Sequence, residues 1–296
     1  MESQNLRGIL LMLASMALFA IEDMFLKWAA AGLPIGQIVF VSGAFGLPVF
    51  VLMAWHQGQR VLTRNILHPA VIARNIGEML GTFAYLTALS RLPLSTVSAV
   101  LQAMPLAITL AAALFMQEQV GWRRWSAIAV GFSGVLLVIR PGLDGFRPDA
   151  LWMLVCVAAL TLRDLATRRI PPGCTTAQVS AWGLAAVGIL GAGMMVTSGQ
   201  VAVPSAWQSF VLLGALIFGT AGYWAITAAS RTGEVSVVAP FRYIRLIFAI
   251  AIGALVFSEI PDRFTLIGSA LIIASGLYSI ARERARKRAI ANSGFP

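Results

Sequence analysis

Charge is what this sequence has least of. Only 11% of its 296 residues are Asp, Glu, Lys or Arg, against 58% hydrophobic residues and a mean hydropathy of +0.82; a soluble domain is about 25% charged. So few charges could not cover a water-facing surface of this size, so lipid must be the solvent over most of the chain. Cysteine is nearly absent: Cys156 and Cys174 have no metal-ligand spacing and give no disulfide framework. The two histidines, His56 and His68, fall in or beside one polar loop, without the partners of a zinc site or a nucleophile–base dyad. Neither HExxH nor GxxxxGK[ST] occurs, which speaks against a zinc protease and direct use of ATP. No enzyme activity, metal or cofactor is expected; an intramembrane enzyme is the weaker alternative.

The net charge of +10 would suit nucleic acid, but no soluble basic domain is present to bind it. Lys and Arg concentrate instead in short loops between apolar runs and in the C-terminal tail, and the partner they imply is a bilayer. Apolar runs between charged or Pro/Gly breaks give ten segments of membrane-crossing length, near 6–30, 35–55, 69–90, 94–116, 122–140, 149–168, 177–198, 206–229, 235–257 and 264–282. Breaks such as Gly32-Leu33-Pro34, Arg91-Leu92-Pro93 and Arg140-Pro141-Gly142 separate them, since proline ends or kinks a helix. Backbone groups in lipid must pair within their own segment, and no strand-like alternation is visible, so the expected fold is all-α and membrane-integral with ten transmembrane helices. Glu22, Asp23 and Lys27 interrupt the first run, which reads as a retained helix rather than a signal peptide. With both termini cytoplasmic, 14 Lys/Arg lie inside and 5 outside, the bias of a bacterial-type inner (plasma) membrane protein. Trp28, Trp55, Trp122, Trp152, Trp182 and Trp207 fall near helix ends, where an aromatic belt is expected.

The chain also repeats itself. Gly81-Thr82 answers Gly219-Thr220, Tyr85 answers Tyr223, Ser90-Arg91 answers Ser230-Arg231, Glu118 answers Glu259, and Ser133-Gly134 answers Ser275-Gly276, in order and at nearly constant offset. A five-helix repeat crosses the membrane an odd number of times, so the second copy enters the other way up. The expected organisation is a first repeat over 1–142, an inverted second repeat over 143–282 and a basic cytoplasmic tail over 283–296. Inverted repeats are a recurring plan of secondary transporters, with solute held near the midplane; a duplication kept for packing alone is the alternative.

The stretch from Ala84 to Gly142, with Pro105, Glu118 thirteen residues later, the Gly131–Gly134 helix and the closing Arg140-Pro141-Gly142, resembles an EamA repeat of the drug/metabolite transporter superfamily. APFRYIRLIFAIAIGALVFSE, from Ala239 to Glu259, matches less tightly. The resemblance implies ten helices in two inverted repeats around a central cavity, and is greatest to YddG-type exporters of aromatic and other neutral amino acids. A multidrug or other small-metabolite carrier, including an importer, is the alternative on the same scaffold. One departure stands out: Ser42 follows Val41 where many relatives carry an arginine, so that arginine's role does not transfer.

Ionisable groups within a span are costly and are expected to meet partners or water. Asp23 and Lys27, and likewise Arg74 and Glu78, are four apart on one helical face. With Glu22 and Asp164 they are candidates for charge coupling or for self-neutralised structure. Arg242 and Arg245 share a face with Tyr243 between them and call for an anion: Glu22, Glu78, Asp164, a lipid phosphate or a substrate carboxylate, which arginine grips through two parallel hydrogen bonds. An internal ion pair is the rival. Tyr85, Tyr223, Trp224 and Tyr243 are candidates for an aromatic lining, with core packing as the alternative. Gln102 offers a neutral polar contact. Gly77 and Gly81 form a GxxxG pair, read as contact between helices of one chain with dimerisation as the lesser option; a monomer suits the chain.

Overall fold

A computed structural model describes residues 2–118, 121–143, 145–232 and 235–292, and among them regular structure is helical throughout, with no β-strand. The α-helices are α1 (Glu2–Ala30), α2 (Ile35–His56), α3 (Pro69–Leu89), α4 (Leu94–Leu101), α5 (Met104–Phe115), α6 (Trp122–Ile139), α7 (Leu151–Thr167), α8 (Thr176–Ser198), α9 (Ala206–Thr232), α10 (Val235–Val238), α11 (Arg245–Phe257) and α12 (Arg263–Asn292). Local chemistry sets their ends. Pro69 opens α3, where a missing N–H costs nothing. At α8 Thr175 and Gln178 form a capping box. Arg140 ends α6 in the left-handed region, just before Pro141-Gly142.

Nine helices of the described residues are long and apolar enough to cross a membrane. The third segment forms a 21-residue helix, α3, but does not count among them, because Arg74, Asn75 and Glu78 dilute its apolar character. Two expected single helices are interrupted. The run 94–116 breaks at Gln102-Ala103 between α4 and α5, because Pro105 cannot join the ladder behind it. The run 235–257 splits likewise: α10 gives way at Ala239-Pro240 to a 3-10 segment, Ala239–Ile244, that leads into α11. The tail departs from expectation in the other direction. It continues α12 as far as Asn292, since its alanine, arginine and glutamate are good helix formers; residues 293–296, and the side chains of Ser230, Arg231, Arg286, Lys287 and Arg288, lie outside the described set.

The helices form two compact units, each drawing on both halves of the sequence. The first comprises residues 1–20, 93–148 and 221–296, the second 21–92 and 149–220. In the first, α6 lies along α12, and a Cβ on Gly134 would stand 2.7 Å from the Gly268 carbonyl oxygen; only glycine permits so close a crossing. Met12, Met16, Ala229 and Val238 form its apolar cluster, with Phe19, Phe241 and Phe248 against them. In the second unit α2 packs along α8 and α3 along α7. A Cβ on Gly77 of α3 would meet the Ala159 carbonyl at 2.6 Å, so this glycine serves contact within the chain. Trp182 is not a belt residue: it is 2% exposed, and its indole N–H donates to the Val61 carbonyl at 2.8 Å. Trp55 and Trp122, each 74% exposed, have the exposure a belt requires.

One backbone detail recurs. Gln117 after α5 and Ser258 after α11 both take a left-handed φ, 55° and 54°. The next residue, Glu118 or Glu259, then donates its amide six residues back, to Ala112 or Gly253.

Candidate functional site

The candidate residues divide by unit. In the second, α1 supplies Glu22, Asp23 and Lys27, α3 supplies Arg74, Glu78 and Tyr85, and α7 supplies Arg163 and Asp164. Asp23 is 1% exposed and accepts a hydrogen bond from the Tyr85 hydroxyl at 2.5 Å. Lys27 gives its ammonium to the Leu92 carbonyl at 2.7 Å. Glu22 lies against α9, its carboxylate oxygen 2.4 Å from where a Cβ on Gly219 would be.

Further along α3 four charges interlock. Glu78 meets Arg74 at 3.2 Å and Arg163 at 3.3 Å, while Arg163 meets Asp164 at 2.8 Å. Two cations and two anions balance, as a group in lipid requires. Gly183 of α8 makes the room, since a Cβ there would stand 2.4 Å from an Arg74 guanidinium nitrogen. The i,i+4 spacing had pointed to Arg74–Glu78; Arg163, which ties α7 to α3, was missed, and its only signal was an adjacent opposite charge within a span. Glu78 and Asp164, considered as partners for Arg242 or Arg245, are thus engaged by Arg74 and Arg163.

In the first unit the break after α4 meets the 3-10 segment. Gln102 donates its side-chain N–H to the Arg242 carbonyl at 3.2 Å. Arg245 lies over the Phe19 ring, 5.3 Å from its centroid, an arrangement worth about 0.5–2 kcal/mol. Tyr243 is buried with its hydroxyl against Gly276. Arg242 is exposed, Tyr223 half-buried, and Trp224 62% exposed. Sequence reasoning passed over Ser95 and Ser98. Both are buried on α4, and neither their hydroxyls nor that of Tyr243 hydrogen-bonds among the described residues. Gln102, Arg242, Tyr243 and Arg245 thus all lie on or beside the two interrupted stretches, with Gln102 bonded to the Arg242 carbonyl and Arg245 stacked on Phe19. Such a set is chemically matched to an acceptor, above all a carboxylate.

Two carboxylates act structurally in this unit. Glu259 accepts the Leu94 amide at 2.9 Å, capping α4, where a negative charge suits the helix start. Asp262 caps α12 through the Thr265 amide at 2.8 Å and pairs with Arg140. Burial pushes the Asp262 carboxyl up, but the Thr265 bonds and the Arg140 guanidinium outweigh it and hold the group below its ordinary 3.8. A lowered value means stability present above 3.8 and lost as pH falls through the folded value. In detergent, the stability advantage of wild type over Asp262→Asn is expected to shrink as pH drops below 3.8. Since Asp262 is half-exposed, the whole effect stays within about 1 kcal/mol; an advantage that grows toward acid would contradict this role.

The sequence matches the EamA-like transporter family twice, over residues 6–140 and 148–280. It is 24% identical to the S-adenosylmethionine uptake transporter of Rickettsia felis over 285 residues, covering 94% of each chain. It is 25% identical to a pseudopaline exporter of Pseudomonas aeruginosa over 291 residues, 95% of this chain and 97% of that one. It is 27% identical to a riboflavin transporter of Rhizobium johnstonii over 236 residues, 80% and 74%. None of these three is named as an amino-acid exporter, so the likeness to YddG-type exporters rests on the segments quoted above alone. A protein of known crystal structure shares the fold, with a TM-score of 0.61 at 20% identity over 97% of this chain and 98% of the other.

Proposed function

The chain belongs to the EamA-like transporter family, and from that premise we propose that it exports amino acids, aromatic and other neutral ones among them, across the inner membrane by alternating access. The observation that carries this reading is the donor set at the broken helices. Irregular backbone at membrane depth is tolerated where it lines a polar site. Here it carries Arg242 and Arg245, with Gln102 bonded to the Arg242 carbonyl. An amino acid offers a carboxylate to these groups, and its side chain suits Phe19, on which Arg245 lies, and the other phenylalanines of the same apolar cluster, Phe241 and Phe248. S-adenosylmethionine, for which the Rickettsia felis relative is named, has an amino-acid head of the same kind. Support for the outward direction comes from the pseudopaline exporter relative; the excess of Lys and Arg in alternate loops supports cytoplasmic termini.

Two inverted copies are the architecture this mechanism needs. The paired turns at Gln117 and Ser258 support it, as do the two successive family matches. A twofold relation exchanges contacts between copies, so Glu259 at the Leu94 amide calls for Glu118 at the Val235 amide.

A second reading, a carrier of other small metabolites, is favoured by the riboflavin transporter relative, because riboflavin has no carboxylate. Counterflow into proteoliposomes with labelled phenylalanine, S-adenosylmethionine and riboflavin separates the two. Phenylalanine uptake competed by other neutral amino acids supports amino-acid transport. Uptake of riboflavin alone contradicts it.

A further inference from the structure

We propose that the end of the first unit where α6 begins and α12 leaves its apolar stretch is a binding site for the phosphate headgroup of an anionic phospholipid. The two helices run antiparallel: a Cβ on Gly131 would stand 2.6 Å from the Ser275 hydroxyl, and one on Gly134 3.0 Å from the Leu271 side chain. About two turns further in that register, α6 begins at Trp122-Arg123-Arg124 and α12 passes through Arg282 and Arg284. Residues 118–124 and 282–288 hold seven cations and two carboxylates, Glu118 and Glu283, so pairing both carboxylates leaves five positive charges in excess. Ten crossings would bring Glu2 and Glu234 to the same face together with Arg7 and Arg231, which leaves that excess unchanged. Like charges gathered at one place repel, and an anion from outside the chain relieves them.

A second observation gives the shape of that anion. Nε and Nη2 of Arg284 are buried, and neither meets an acceptor among the described residues. These two nitrogens form one edge of the guanidinium, with parallel N–H groups that fit two oxygens of a phosphate. A buried donor left without an acceptor is costly, so this edge calls for an anion seated beside it. Position selects a lipid as the source. The apolar stretch of α12 gives way to charge at Arg282, and the membrane-crossing helix α6 begins at Trp122, so the cluster stands at headgroup depth. Trp122 and Trp125 are 74% and 41% exposed, and the Arg123 guanidinium lies over the Trp122 ring, 5.3 Å from its centroid. Phe115, where α5 ends ahead of α6, is 72% exposed. An acyl chain therefore finds apolar surface next to the basic cluster that takes its headgroup.

Native mass spectrometry of the purified full chain in detergent, offered phosphatidylglycerol or phosphatidylcholine, tests this. Wild type is expected to retain phosphatidylglycerol in preference to phosphatidylcholine. Arg284→Gln is expected to lose about tenfold in affinity for phosphatidylglycerol, as removal of a bond to a charged group dictates. Arg284→Lys, which keeps the charge without the fork, should fall between. Arg60→Gln combined with Arg64→Gln, exposed cations of the second unit, is the control and should bind as wild type does. Unfolding midpoints without added lipid show that each variant is folded; should Arg284→Gln fail to fold, Arg284→Lys carries the same comparison. Equal retention of the two lipids by wild type, or undiminished phosphatidylglycerol affinity in the folded Arg284 variant, would overturn the proposal. Stabilisation by inorganic phosphate or glycerol phosphate as great as that by phosphatidylglycerol would put a soluble anion at the site and overturn the lipid assignment.

Discussion

Glu78→Ala is expected to destabilise the protein by about 3–5 kcal/mol, the cost of breaking a buried ion pair from one side. Glu78 is the hub of the network between α3 and α7, meeting Arg74 along its own helix and Arg163 across the interface. Its removal leaves two guanidinium groups sharing less counter-charge in an environment that water screens poorly. Asp164 continues to hold Arg163, while the buried Arg74 loses its i,i+4 carboxylate. Exchanging Arg74 and Glu78 together for methionine and leucine leaves Arg163 and Asp164 as a balanced pair, and should cost well under the sum of the single changes. Unfolding of the purified protein, measured for both singles and the double, reads this directly. Additive losses would mean that the charges do not act as one group.

Arg245→Ala is expected to weaken binding of a carboxylate-bearing solute by roughly 10- to 100-fold, since a hydrogen bond to a charged group contributes about 1.5–3 kcal/mol. Arg245→Lys should fall between, because an ammonium keeps the charge and lacks the two-pronged geometry. Competition by phenylalaninamide, which has no carboxylate, should be the same in all three proteins. The stacking of Arg245 on Phe19 gives the alanine variant a separate, smaller loss of stability. Counterflow at varied phenylalanine concentration separates the two effects. Wild-type affinity in a folded Arg245→Ala protein would make this arginine a packing residue alone.

The spans were legible because a membrane imposes one simple rule, about 20 apolar residues per crossing, and loops too short to hide the boundaries. What escaped reading follows the same logic. The stretch 94–116 is evenly apolar, so nothing in its hydropathy marks the break at Gln102-Ala103; only Pro105 hints at it, and proline also occurs inside continuous helices such as α2. Local pairs were readable, as Arg74–Glu78 was from its i,i+4 spacing. Partners remote in sequence were not. Tyr85 meets Asp23 across 62 positions, and Arg163 meets Glu78 across 85. Lys27 also gives its ammonium to the Leu92 carbonyl, an acceptor that every residue offers and no motif marks. Trp182 looked like its fellow tryptophans near helix ends, yet its indole fastens a loop.

Alternating access depends on two oppositely inserted halves, and accessibility from either face of the membrane tests them most directly. In a protein with Cys156 and Cys174 replaced by serine, single cysteines at Gly121, which is exposed just before α6, and at Ile260, 87% exposed beyond α11, fall in the corresponding loops of the two copies, before α6 and before α12. With an impermeant maleimide, Ile260→Cys is predicted to react in intact cells, and Gly121→Cys only in inside-out vesicles. Reaction of both from the same face would contradict the inverted arrangement and the transport mechanism built on it.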